Sequence, residues 1–320
     1  MLELVANYSA YSSELLNTKE IIENCTDNSK NILKTTGINK VSQFNENLQL
    51  KHIYDLLLEK ALSDNNIKPI GIIVCTQTPD EAMPALSSQI VFRNNLKEVI
   101  FCHDIISGCT GFVDICSVAD LFLSKNQIEG HVLCFSGDIN SRIVKKSDYA
   151  LSCVFGDLVN LTIFSRFKNE KKSLFNESVS QNYSLSISRK LNAFMEMNGL
   201  EVMSFVGSSV IDNIYKYLEK FLEEYKDDQT MLVLHQANKF IVDFINKKVK
   251  NKYPNVKLGD FTMGDLGNSG SSSIPFSISC YKRDRLINNE VIICGYGVGM
   301  KTSIGNIKIL KTASCDDLIL

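Results

Sequence analysis

The chain alternates short, almost continuously apolar runs with longer stretches in which apolar residues recur every three or four positions. "IKPIGIIVC", "LKEVIFCHDII" and "IEGHVLCFSGD" are β-branched and aliphatic runs closed by polar or glycine-containing turns, the pattern of strands. "LKHIYDLLLEKALSD", "FVDICSVADLFLSK" and "VIDNIYKYLEKFLEEYKDD" each carry an apolar stripe and a charged face, which predicts amphipathic helices with the charged side in solvent. Strand and helix patterns take turns, so the fold class is α/β.

A weak internal repeat refines this. "GIIVCTQTP" has a counterpart in "MLVLHQANK", "VIFCHDIISGCTGFVDI" in "DFTMGDLGNSGSSSIPFSI", and "HVLCFSGDI" in "EVIICGYGVG", in the same order. The chain therefore divides into halves at 1–165 and 166–320, with the polar, irregular stretch 165–186 as the joint. Two pseudo-symmetric halves meeting face to face bring Cys109 near His235 and Asn268.

Composition narrows the function. The 320 residues are 44% hydrophobic and 22% charged with a formal net charge of -2, which offers no broad field for nucleic acid or an acidic membrane surface. The N-terminus has no basic stretch followed by an apolar one, and no segment approaches the roughly 18 apolar residues of a membrane span. The cytoplasm is the expected compartment, with no membrane or nucleic-acid partner. None of the ten cysteines forms a CxxC pair, and most sit in apolar runs as small hydrophobes, so no metal is expected.

Three residues of nucleophilic-catalysis type follow strands: Cys109 in "SGCTGF", His235 in "VLHQANK" and Asn268 in "DLGNSGSSSIP". A helix beginning at "TGFVDI" places Cys109 at its N-terminus, where the dipole favours thiolate. Taken singly, each has an ordinary reading. Cys109 is then a packing residue at a strand-to-helix turn, His235 a core histidine satisfied by backbone, and Asn268 a helix N-cap.

Together with their local sequences they resemble the ketoacyl synthase III family of thiolase-fold condensing enzymes. "GCTGF" is similar to that family's nucleophile motif, "HQAN" is its histidine motif and "GNSGSSSIP" is similar to its asparagine motif, with "KTTGINK", "VFGD" and "GYGVG" in support. The resemblance implies a thiolase-like fold of two halves with a five-layered αβαβα core and a Cys109–His235–Asn268 triad. It implies acyl loading on Cys109, then decarboxylative condensation with malonyl-acyl carrier protein to a 3-oxoacyl thioester. It further implies an oxyanion hole from the backbone N–H groups of Cys109 and Val298, acyl-pocket roles for Met83 and Phe155, and carrier or pantetheine contacts at Asn238, Lys239 and Ser208. Acyl and malonyl thioesters are then the substrates with no further cofactor, acyl carrier protein is the partner, and the assembly is a homodimer.

The chain departs from the family at the donor end. The tryptophan and arginine that grip adenine are replaced by Asn31 and Thr35, the arginine after "HQAN" by Phe240 beside Lys239, and the glycine-rich run after "FGD" by Leu158, Val159, Asn160 and Leu161. These departures favour a carrier-bound or unusual acyl donor. They also keep open an acyltransferase serving an alcohol or amine acceptor in secondary-metabolite or surface-glycan synthesis, and a non-catalytic subunit of a condensing heterodimer. The related hydroxymethylglutaryl-thioester synthases need a glutamate base, for which Glu81 is the available residue.

Overall fold

The computed structural model describes residues 1–23, 34–64, 66–125, 128–166, 172–180, 186–225, 230–287 and 290–320. Asn31 and Cys25 lie outside the described residues. The first half supplies strands β1 (Leu2–Tyr11), β2 (Pro69–Cys75), β3 (Phe101–Ile105), β4 (His131–Asp138) and β5 (Leu158–Arg166). The second supplies β6 (Phe175–Val179), β7 (Met231–Leu234), β8 (Lys257–Leu258), β9 (Glu290–Gly297) and β10 (Lys301–Ile319). Between them run helices α1 (Leu50–Asp64), α2 (Leu86–Arg93), α3 (Gly111–Lys125), α4 (Ile211–Tyr225), α5 (Lys239–Lys252) and α6 (Ser273–Arg283).

The strand order is β3-β2-β4-β5-β1 in the first half and β8-β7-β9-β10-β6 in the second, the same order in chain terms, with parallel β1–β10 pairing joining the two. In both halves the first two pairings are parallel and the next two antiparallel. β6 falls inside the stretch expected to be an irregular joint. It is a half-exposed strand on the edge of the second half, with too few apolar residues to announce itself.

Period-two alternation sorts the strands into layers. Ile70, Ile73 and Cys75 of β2 and Val291 and Ile293 of β9 face inward onto α3 and α6, which lie between the half-sheets. Ile72 and Val74 face α1, and Ile292 and Cys294 face α4 and α5 on the outer sides. The result is the αβαβα layering. The "LVNL" segment has a packing reason: Asn160 Nδ2 donates to Ser9 Oγ (2.7 Å) and Thr162 Oγ1 to Asn7 Oδ1 (2.6 Å). Asn7 Nδ2 in turn donates to Ser279 Oγ of α6 (2.6 Å), so a polar seam docks the small-residue helix onto β1 and β5. No helix among the described residues is long and apolar enough to cross a membrane.

Candidate active site

Cys109 occupies a single 3-10 turn, Gly108–Thr110, that carries the chain from β3 into α3. Gly108 has φ +53°, and a Cβ there would meet the Val298 side chain and stand 3.0 Å from Gln77 Oε1, so the turn requires glycine. At the end of β9, a Cβ on Gly297 would stand 3.1 Å from the Cys109 sulfur, and its absence lets the following peptide approach. The backbone N–H groups of Val298 and of Cys109 itself face that sulfur and favour its charged form.

The expected resting thiolate is not what this environment produces. Cys109 is 7% exposed, burial pushes its thiol up to about 11, and the two N–H groups offset only part of that. The Asp138 carboxylate, buried at the end of β4, adds to the upward push. Its Oδ1 accepts from the Gln77 N–H (2.5 Å) and Thr76 Oγ1 (2.9 Å). The nucleophile therefore rests as a neutral thiol.

His235, buried just after β7, places Nδ1 2.8 Å from Ser273 Oγ. That hydroxyl also accepts the Gln236 N–H (3.2 Å) and lies 3.0 Å from the Gly270 carbonyl. The Ser273 hydroxyl donates to the Gly270 carbonyl in this geometry; turned onto Nδ1 instead, it leaves Nε2 carrying the ring hydrogen, the tautomer that a donor role at Nε2 requires. Burial lowers His235 to about 4, opposed in part by the Gly270 carbonyl, so the ring is neutral across the physiological range.

This has a stability consequence. The folded-state value lies below the ordinary 6.5 of a free imidazole, so the unfolded chain binds the extra proton first, and stability is lost as pH falls from 6.5 towards 4. The loss attributable to His235 amounts to about 3 kcal/mol. Denaturant unfolding at pH 7 and pH 4 should show the His235→Gln variant losing that much less than the wild type. An equal acid loss in both would contradict a buried neutral ring.

Asn268 is held by a backbone bridge to Phe155, in which the Asn268 N–H donates to the Val154 carbonyl (2.7 Å) and the Gly156 N–H to the Asn268 carbonyl (3.1 Å). A Cβ on Gly156 would run into the Leu266 carbonyl, which is why "FGD" and "GN" can lie against each other. Asp157 anchors the same corner by accepting from the Phe44 and Ser141 N–H groups, both at 2.8 Å. Asn268 Oδ1 accepts the Gly270 N–H (3.0 Å), which fixes the amide orientation and leaves Nδ2 without an acceptor among the described residues. The Cys109 turn packs against the Gly270–Ser272 turn and against β9. The fold thus gathers one thiol, two backbone donors, one neutral imidazole and one amide from both halves.

The remaining predicted residues sort less uniformly. Phe155 lines a cavity of about 310 Å³ together with Leu16, Ile21, Val41 and Val144. Met83, whose sequence context also reads as core, is 82% exposed. Asn238 caps α5, its Oδ1 accepting the Ile241 N–H (2.9 Å), and Lys239 pairs with Asp243 (2.9 Å) while its stem covers Gly37. Ser208 sits in a π-helical turn and donates to the Ser204 carbonyl (2.9 Å). Thr35 and Glu81 are exposed, Glu81 paired with Lys51 at 2.8 Å. Asp138 and Ser273 were not singled out by sequence, since an acid at a strand end and one serine in a serine run carry no distinguishing signal. Among the described residues no group of three or more His, Cys, Asp or Glu is arranged to hold a metal ion.

No family model matches the chain. Among curated proteins it is 25% identical to a β-ketoacyl-[acyl-carrier-protein] synthase III of Clostridium botulinum over 256 residues, covering 75% of this chain and 76% of the relative. A synthase III of Clostridium novyi is 25% identical over 321 residues, covering 92% and 95%. Among solved structures, a 3-oxoacyl-(acyl-carrier protein) synthase from Burkholderia xenovorans superposes with TM-score 0.84 at 19% identity, covering 99% of this chain and 97% of that one. A β-ketoacyl-[acyl carrier protein] synthase III from Thermus thermophilus superposes with TM-score 0.81 at 17% identity, covering 95% and 98%.

Proposed function

We propose that this chain, a relative of the β-ketoacyl-[acyl-carrier-protein] synthase III proteins with their thiolase-like fold, is a condensing acyltransferase that works through Cys109, His235 and Asn268. In the first half-reaction the Cys109 sulfur attacks the carbonyl of an acyl thioester. The new carbon–sulfur bond forms, the old one breaks, and the departing thiolate leaves with the Cys109 proton. The tetrahedral oxyanion lies between the N–H groups of Cys109 and Val298. A resting neutral thiol suits this exchange, because the proton and the leaving thiolate depart together.

In the second half-reaction a malonyl thioester loses carbon dioxide, and the enolate oxygen takes hydrogen bonds from His235 Nε2 and Asn268 Nδ2. The enolate carbon attacks the acyl–Cys109 carbonyl and expels the sulfur, giving a 3-oxoacyl thioester. A ring lowered to about 4 donates without a fixed positive charge that would pin the malonyl carboxylate in place. With one proton taken up from solvent to return Cys109 to its neutral thiol, the reaction balances with thioesters and calls for no metal or redox cofactor.

The observation that carries this reading is that the Cys109 turn packs on the Gly270–Ser272 turn, which Asn268 Oδ1 holds through the Gly270 N–H and which leads into Ser273, the partner of His235 Nδ1. Carrier protein as the donor form is supported by α5, whose exposed Lys247, Lys248, Lys250 and Lys252 suit an acidic partner, and by the lack of any tryptophan. A homodimer is supported by β3, an edge strand flanked by exposed Phe92 (87%), Ile106 (78%) and Met83 (82%). In that assembly Met83 reaches the partner's acyl pocket.

The test is a panel of acyl groups, acetyl to octanoyl, offered on coenzyme A and on acyl carrier protein, with mass added to Cys109 as the readout. Adducts from carrier-bound donors in preference to acetyl-coenzyme A are expected. No adduct from any donor would favour a non-catalytic subunit.

A further inference from the structure

The two N–H groups on the Cys109 sulfur belong to separate pieces of chain, one opening the turn into α3 and the other following the end of β9. Their separation depends on whatever ties α3 to the segment after β9. Asp114, in the first turn of α3 and 5% exposed, makes that tie. Its Oδ2 accepts from Thr110 Oγ1 (2.9 Å), on the residue next to the nucleophile, and from Lys301 Nζ (3.0 Å). Its Oδ1 accepts from Ser303 Oγ (2.7 Å). Lys301 leads β10 directly after a reversal in which Gly299 and Met300 both have positive φ, 86° and 43°. Glu177 of β6 braces the same ammonium at 3.1 Å.

We infer that Asp114 and Lys301 are positioning residues that hold the Cys109 and Val298 N–H groups at a fixed separation around the sulfur. The inference rests on the proposed role of Cys109 as the loaded nucleophile. The pair touches neither half-reaction directly. It grips the nucleophile turn on one side and the base of the loop carrying Val298 on the other, so loosening it moves one donor relative to the other. With side chains 6% and 19% exposed, the two charges are largely withdrawn from water, and removing one strands its partner. A compensating reason to retain such a pair is geometric fixity rather than net stability. The titratable groups facing Asp114 are Lys301, Glu177 through Lys301, and two thiols that burial pushes up, Cys75 under Gly111 at about 12 and Cys116 on α3. Asp138 faces Cys109 and belongs to neither segment that the pair joins.

The experiment is alkylation of Cys109 by iodoacetamide in the full chain from pH 7 to 10, read by mass, beside thermal unfolding and acyl loading. The variants are Lys301→Met, Lys301→Arg and the doubly neutral Asp114→Asn/Lys301→Met. Lys301→Met and the double variant should alkylate roughly tenfold more slowly at each pH below the thiol's own value, because a displaced N–H donor leaves the thiolate less stabilised by about one unit. Lys301→Arg should restore the wild-type profile. The double variant has no stranded charge and keeps the test open if Lys301→Met fails to fold. Wild-type alkylation in a folded double variant overturns the inference, and so does failure of both to fold, which would make the network a support of the fold alone. Alkylation needs no acyl donor, so a wild-type protein that alkylates but never loads an acyl group would sink the proposed function separately.

Discussion

In the Cys109→Ala variant, acyl transfer to the protein disappears and 3-oxoacyl formation falls by at least about a thousandfold. Among the described residues no neighbouring thiol is placed to take over. Cys75, packed under Gly111 at the start of α3, is fully buried and its thiol is pushed up to about 12. The substitution removes one sulfur and leaves the Gly108 turn and the Gly297 approach intact, so stability changes by about 1 kcal/mol or less. Intact mass after incubation with a carrier-bound donor reads the adduct, and chromatography of the thioester reads the product. An undiminished adduct in the variant would move the nucleophile elsewhere.

His235→Ala and Asn268→Ala divide the reaction differently. Each removes one donor to the malonyl enolate and should lower malonyl decarboxylation by about 100- to 1,000-fold. Acyl loading on Cys109, which uses the Val298 and Cys109 N–H groups, should stay within about tenfold of wild type. Because both donors act on the same oxygen, the double variant should lose much less than the product of the single losses. Separate assays of adduct formation and carbon dioxide release check this. Equal loss in both half-reactions for either variant would make that residue a support of the whole site rather than an enolate donor.

Sequence alone was informative where one physical requirement dominated. Strands sandwiched between helix layers must be apolar on both faces, so β2, β4 and β9 stood out as continuous runs, and their order revealed the repeat. The amphipathic stripes of α1, α3 and α4 marked single buried faces and their extents. Gly108 and Gly297 sit where the chain comes close to itself, a Cβ there meeting the Val298 side chain or standing 3.1 Å from the Cys109 sulfur.

Where opposing effects compete, sequence alone does not decide between them. The helix terminus argues for thiolate at Cys109, but burial outweighs it, and burial depends on β9 and the second half closing over the turn. Met83 reads as core because its neighbours are apolar, yet in the single chain it faces outward. Asp114 looks like one more charge on the solvent face of an amphipathic helix, and only its meeting with Lys301 and Ser303 from the far end of the chain gives it a buried role. Asn238, read from sequence only as a carrier or pantetheine contact, caps α5 with its side chain.

The central claim is a thiol that carries an acyl group and hands it to a decarboxylated malonyl carbon. Its most direct measurement loads Cys109 from a carrier-bound acyl donor, removes the free donor, and chases with malonyl-acyl carrier protein labelled at the free carboxylate. One equivalent of labelled carbon dioxide and one of 3-oxoacyl-carrier protein per acyl group lost from Cys109 is the predicted result. Discharge of the acyl group without carbon dioxide, to water or to an added alcohol or amine, would contradict it.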